Sequence, residues 1–331
     1  MPFRYVPLLR SKSGEATALQ NLSNDDKDRV FPLVHVMPDI PAQFVTRVGA
    51  GWQGRRMALD GHWAFANTGS TVGFSTLANT LTGLGVLILP SMEVGAVPNY
   101  IGAVQRIATA GRNGVVVKSS LGDLLNLNSW LTEIRLPPTS VDLVVVAGHV
   151  PDITLAALQP PTVHALANLS GANAFRSITL ASSAAPKDFG ALPHGQSSVR
   201  RLDWELWNNV APNVPFQLDY GDYGISHHDL TEPPGFAMAR ATVSVRYTRD
   251  ADWLVIKGRP TSGATGIPMP TQYLSHAMAL VGAPGFGGIA GCWGDARIQQ
   301  IAAGAINSGS RPTWVMQSVS RHLSLVADRL P

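Results

Sequence analysis

The chain has 331 residues, room for one large or two average domains, and its 45% hydrophobic and 14% charged residues exclude the polar, charge-rich composition of disordered chains. Twenty-five Lys and Arg stand against 22 Asp and Glu, a formal net charge of +3, and the longest basic clusters are the pairs Arg55-Arg56 and Arg200-Arg201. No polybasic stripe is present, so nucleic acid is not an expected partner. A single cysteine, Cys292, rules out an intrachain disulfide and reads as a small buried hydrophobe. With no signal-sequence pattern and no apolar run of about 18 residues, the expectation is a soluble cytoplasmic protein that does not enter a membrane.

The first element is RYVPLLRSKSGEATALQNL (4–22), a short apolar run that delivers Arg10, Ser11 and Lys12 to a turn at Gly14 before Ala16, Leu19 and Leu22 mark a helix. The layout recurs. Continuous apolar runs, the signature of parallel strands covered on both faces, follow at FPLVHVM (31–37), RMAL (56–59), VLILP (86–90), GVVVK (114–118), VDLVVVA (141–147), SITLA (177–181) and VPFQLDY (214–220). Between them lie helical spacings such as Ile101, Val104, Ile107 and Ala108, stopped by Gly111 and Gly114. The eight strands alternating with helices predict an α/β fold, a (β/α)8 TIM-like barrel over residues 1–230. A doubly wound open sheet is the alternative, but the first turn, RSKSGEA, has one glycine where a phosphate fingerprint has several.

After the seventh strand the pattern loosens. VRRLDWELWNN (199–209) reads as a strand or the end of an insertion. Beyond residue 230 the alternation stops: 241–258 reads as two strands joined by TRDAD, followed by a Gly/Pro-rich loop (260–270) and helical segments at 271–281 and 295–307. Residues 231–331 are therefore expected to form a C-terminal β-hairpin and helical appendage packed on the barrel, the whole making one compact domain.

Catalytic groups of barrel enzymes come from the C-terminal strand ends and the loops after them. That rule selects Lys12, Asp39, Asp60, His62, Glu93, Lys118, His149, Ser182, Ser183, Asp219 and Asp222. Lys12, Asp60, Lys118 and Asp222 are the catalytic candidates, and Glu93, His149 and Arg201 the ligand-binding ones. Each has a plainer reading. The lysines also suit ion pairs with Glu15 and Glu93, Asp60 in DGHW suits a turn, and His149 suits a loop hydrogen bond. Asp222, flanked by Gly221 and Gly224, is expected in the loop after the eighth strand, capping backbone N–H groups or facing Lys12. Asp39, Asp60, Glu93, Asp219 and Asp222 offer oxygen ligands for a divalent metal, which is admitted but not favoured because no HExxH, CxxC or EF-hand spacing supports it. Ser182-Ser183 lack the G-x-S-x-G elbow, and Trp204, Trp207, Tyr220, Tyr223, Trp253, Trp293 and Trp314 read as packing.

The opening YVPLLRSKSGEATALQNL with FPLVHV, then LDWELW (202–207), GDYGI (221–225), RYTRDADWLVIKG (246–258), WGDARI (293–298) and SRHLSLV (320–326) resemble, in order, the landmarks of the phage-type "beta protein" family, the T-even type included, found in tailed phages and bacterial genomes. The resemblance implies a single barrel-like domain of about this length and brings no established activity. Members commonly carry two adjacent histidines in the terminal segment, where this chain has Arg321 before His322; the pair His227-His228 is a separate feature. Two functions follow as expectations: a protein that binds or turns over a small anionic substrate at the barrel mouth, or a non-catalytic interaction protein of phage or prophage biology that uses the barrel as a scaffold for a protein partner.

Overall fold

The computed structural model describes residues 4–151, 154–231, 242–264 and 266–331. Eight parallel strands close a barrel: β1 (Tyr5–Arg10), β2 (Leu33–His35), β3 (Arg56–Asp60), β4 (Leu87–Glu93), β5 (Val115–Ser120), β6 (Val141–His149), β7 (Ser177–Ser183) and β9 (Leu218–Asp222), the last pairing with both β7 and β1. Alternation explains why these runs are apolar throughout. One set of side chains, including Val6, Leu33, Ala58, Leu89, Val116 and Val144, fills the barrel interior, while their neighbours, including Tyr5, Val34, Met57, Ile88, Val117 and Val145, pack outward against the helices.

Helices α1 (Ser13–Gln20), α2 (Asn24–Arg29), α3 (Ala42–Gly51), α4 (His62–Phe65), α5 (Val72–Gly83), α6 (Pro98–Gly111), α7 (Leu127–Glu133) and α8 (Leu155–Ala167) connect the first seven strands. On α6 the expected stripe is present: Val104 and Ile107 are buried, and Ile101 and Ala108 pack against the same core. Near the end of β6, Ala147 is an extra residue in the ladder with β7, which resumes at Gly148 with φ of 75°. Such a bulge re-aims the side chain that follows, here His149.

Between β7 and β9 the chain leaves the barrel. It forms β8 (Gly195–Arg200) and then helix α9 (Leu202–Val210), so the strand-like reading of 199–209 holds only for its first two residues. Leu202, Leu206, Trp207 and Val210 are all buried, a helical period that the aromatic enrichment of the segment masks. β8 joins the antiparallel pair β10 (Ser244–Thr248) and β11 (Asp252–Lys257) in a three-stranded sheet ordered β10-β11-β8. Helices α10 (Met269–Val281), α11 (Trp293–Ala302) and α12 (Arg311–Arg329) cover it, around a second core that includes Val245, Tyr247, Ile256, Tyr273, Ile298 and Trp314.

α12 is absent from the sequence reading, which places no helix beyond 307. Its buried side includes Gln317, Ser320, Arg321, His322 and Ser324 as well as Val319, Leu323 and Val326, so burial on it does not follow hydrophobicity. A capping box fixes its start, Ser310 N–H donating to Thr313 Oγ1 at 3.2 Å. Trp314 then joins the second core, and Val319 and Leu323 join the barrel's outer core, so one helix spans both.

Candidate functional site

Strand register alone sets the acidic and basic groups of the barrel mouth side by side. His35 at the end of β2 is in register with Asp60 at the end of β3, and Glu93 at the end of β4 with Lys118 of β5. All lie on or beyond the C-terminal halves of their strands. Lys118 Nζ donates to Glu93 Oε1 at 2.5 Å and is ion-paired with Asp60 Oδ2. His35 Nδ1 lies 3.1 Å from that same Asp60 oxygen, and the His62 backbone N–H donates to Asp60 Oδ1 at 2.9 Å. The His62 ring Nε2 approaches Glu93 Oε2 at 3.7 Å.

Burial by itself lifts the Asp60 carboxyl, but Lys118 and His35 outweigh it and hold the group well below the usual carboxylate range. Burial works against the Lys118 ammonium too, and Asp60 and Glu93 reverse it, raising Lys118 above the ordinary lysine value. His35 is pushed down by burial and by Lys118, and its Nε2 has no partner among the described residues. Lys118 is therefore a fixed cation at neutral pH, fit to hold negative charge rather than to take a proton. The two carboxylates differ: the Asp60 side chain is 1% exposed and Glu93's 42%. Lys118, Glu93, Ser119, Ser120, Asp123 and Tyr223 line a cleft of about 490 Å³.

Tyr223 joins this cleft to a second cluster. Its ring stacks on His35 at 6.1 Å between centroids and meets His228 edge-on at 6.0 Å, while burial pushes its hydroxyl up to about 12. His149, His227 and His228 gather there, with centroid separations of 4.8 Å (149 to 227), 6.0 Å (149 to 228) and 4.2 Å (227 to 228). Burial, with His228 and His149 beside it, lowers His227 to about 4. Arg10 pins the segment by donating to the Asp229 carbonyl at 2.8 Å, and Asp229 N–H donates to His227 Nδ1 at 3.0 Å. Lys187 pairs with Asp229.

Of the candidates read from the sequence, the structure brings Asp60, Glu93 and Lys118 into one cluster and sets His149 across Tyr223 from it. Lys12, the N-cap of α1, is at the same barrel end. Asp222 is not in a loop: it is the last residue of β9, and because Tyr223 enters the barrel interior, Asp222 points to the other face. There its Oδ1 accepts from Tyr5 Oη at 2.6 Å and Gly224 N–H at 2.8 Å, and its Oδ2 from Tyr220 Oη at 2.9 Å, with His322 Nε2 at 2.8 Å and Arg201 at 3.3 Å. Burial opposes the charge on Asp222, yet His322 and Arg201 lower it to about 2. Arg201 is fully buried between Trp204 and Trp253, away from the rim.

The five carboxylates that the sequence offers as metal ligands, a reading not favoured there, do not gather: only Asp60 and Glu93 share the Lys118 cluster. Asp219 accepts from Arg4 N–H at 3.0 Å at the opposite barrel end, because β9 starts four residues later than the predicted strand, and Asp39 is exposed. Sequence reasoning missed His35, which ends the run FPLVHVM and meets the strand-end rule, and assigned Tyr223 to packing. It also gave no role to His227-His228, whose partner His149 is 78 residues away in sequence.

The sequence matches the family described as "Beta protein" over residues 5–328. No curated protein matches the chain. Among solved structures, that titled "PhdJ bound to substrate intermediate" is similar at a TM-score of 0.33 and 10% identity, covering 100% of this chain and 98% of that one.

Proposed function

This chain belongs to the beta protein family, and we propose that it binds, as a step toward turnover, a small anionic substrate in the cleft at the C-terminal rim of its barrel. The observation that carries this reading is the asymmetry around Lys118, a buried ammonium held by one carboxylate that is sealed in and one that reaches solvent. With Asp60 and Glu93 both in place the cluster has one negative charge in excess, so an anion enters by displacing Glu93. Asp60 then keeps Lys118 charged and oriented while a carboxylate or phosphate takes the vacated donor. His62, whose Nε2 approaches Glu93, is the imidazole nearest the vacated donor for proton transfer, while His35 holds Asp60 from the buried side. The barrel and the sheet built on it act as one compact domain in this reading.

Small-anion binding by the wild type and by Lys118→Met is the test, with inorganic phosphate and malonate as probes in titration calorimetry. Saturable binding that falls more than about tenfold in the variant supports the proposal, since charge-assisted hydrogen bonds contribute roughly 1.5–3 kcal/mol. Equal binding by both proteins refutes it.

A second reading rests on Leu125 and Trp63, 91% and 52% exposed on segments that follow β5 and β3 at the same end. In this reading a protein partner covers these two side chains, with the barrel as scaffold. In that case Leu125→Asp, and not Glu93→Gln, abolishes the protein's activity in its host.

A further inference from the structure

We propose that His149, His227 and His228 form a binding site for one zinc-class divalent transition-metal ion, with its remaining coordination position open to solvent. The proposal stands on a different set of residues from the Lys118 cleft and does not depend on that cleft binding an anion. Three residues brought together from two distant segments each offer a ring nitrogen, and the three atoms lie within 4.8 Å of one another. Tetrahedral zinc with bonds of about 2.0–2.1 Å sets ligand nitrogens roughly 3.4 Å apart. The rings are half-buried, so side-chain rotations moving each nitrogen by less than about 1 Å close that difference without backbone change.

Two features set the cluster apart from simple ring packing. His149 Nδ1 and His228 Nδ1 are shielded from solvent and have no partner among the described residues. A shielded polar atom left unmatched is costly, and a metal ion, or the ring reorientation that a metal selects, removes the cost. The backbone on both sides is also prepared. The bulge at Ala147 sets the direction of His149, while Arg10 and the Lys187–Asp229 pair fix the segment bearing His227 and His228.

His227 must give up the Asp229 N–H bond at its Nδ1, a loss of about 1 kcal/mol that is small beside a metal–imidazole bond. Ligand type selects the ion. Three imidazoles without a carboxylate suit zinc, cobalt, nickel or copper and not magnesium or calcium, and three protein ligands leave a position for water or substrate, as in catalytic rather than structural zinc sites. Tyr223, which touches both His228 and His35, places the histidine cluster on the same rim as Lys118.

The experiment uses the full-length, untagged chain stripped with a chelator and titrated with Co²⁺, then with Zn²⁺. The expected result is one Co²⁺ per chain with visible ligand-field bands of a four- or five-coordinate site, displaced by one equivalent of Zn²⁺. His149→Ala and His228→Ala should each weaken binding at least about 100-fold, since even outer-shell partners of metal ligands are worth 10–100-fold, with unchanged circular dichroism showing that the fold is kept. Absence of saturable binding by the wild type overturns the proposal, as does binding that survives both histidine substitutions.

Discussion

At the scale of single residues, two buried carboxylates do different work. Asp60 and Lys118 compensate each other, so Lys118→Met leaves Asp60 as a buried charge without its main partner. A loss of roughly 3–5 kcal/mol in urea unfolding is expected, as for other broken buried pairs, and Asp60→Asn in the Lys118→Met background should recover part of it. Asp222 predicts a pH dependence. Its folded value of about 2 lies below the unfolded carboxyl value near 3.9, so the native state binds fewer protons in between. The stability it contributes is present above the unfolded value and is lost as pH falls through the folded one. Asp203 beside it is shifted upward, chiefly by burial, with the opposite sign, so the informative quantity is the difference between wild type and Asp222→Asn. That difference should be largest at pH 7 and shrink between about pH 4 and pH 2; a difference independent of pH would remove the charge from the explanation. Residue identity at strand ends was legible in the sequence, since Asp60, Glu93 and Lys118 follow from run boundaries alone. Asp222 was misplaced because glycine on either side marks a turn in most sequences, whereas here the strand runs through Gly221 and alternation turns the carboxylate outward.

Among the elements, α12 shows why part of the fold was hidden. Pattern reading finds helices by an apolar stripe, and α12 buries serines, an arginine and a histidine because its neighbours offer matching groups. His322 Nε2 lies at 2.8 Å from Asp222, Ser324 donates to Asp26 at 2.8 Å, and Arg321 donates to Asp295 at 3.1 Å. Such partners come from residues far off in sequence, so no local window contains the signal. α11 crosses α12 closely at Gly294, where an added Cβ would stand 2.3 Å from the Gln317 carbonyl oxygen. Gly294→Ala should therefore force the two helices apart and lower stability by about 1–3 kcal/mol, read from the shift in unfolding midpoint. The same change at Gly83 on α5, where an added Cβ has nothing within 4 Å and φ is not positive, should leave stability unchanged or slightly raised; a loss there equal to that at Gly294 would show that the helix crossing is not the cause.

For the whole molecule, the β8–α9 excursion between the seventh and eighth barrel strands ties the barrel to the sheet. β8 completes that sheet, Arg201 and Trp204 then pack against the barrel, and His322 links Asp222 of β9 to Thr248 of β10. The chain is expected to unfold in one transition, seen together by tryptophan fluorescence and far-UV circular dichroism; two separated transitions would show independent bodies. No helix of the described residues is long and apolar enough to cross a membrane. The barrel was legible because eight apolar runs repeat one local pattern, while the third strand of the second sheet was not, since Gly195–Arg200 carries mostly polar side chains.

The central claim, that Glu93 occupies the place of a substrate anion on Lys118, meets its most direct test in Glu93→Gln. Titrated with malonate and inorganic phosphate, this variant should bind about five- to tenfold more tightly than the wild type, because the excess negative charge is gone and a half-exposed ion pair is worth only about 1 kcal/mol to displace. Weaker or unchanged binding would contradict the account, since it would make Glu93 either a ligand contact in its own right or irrelevant to the cleft.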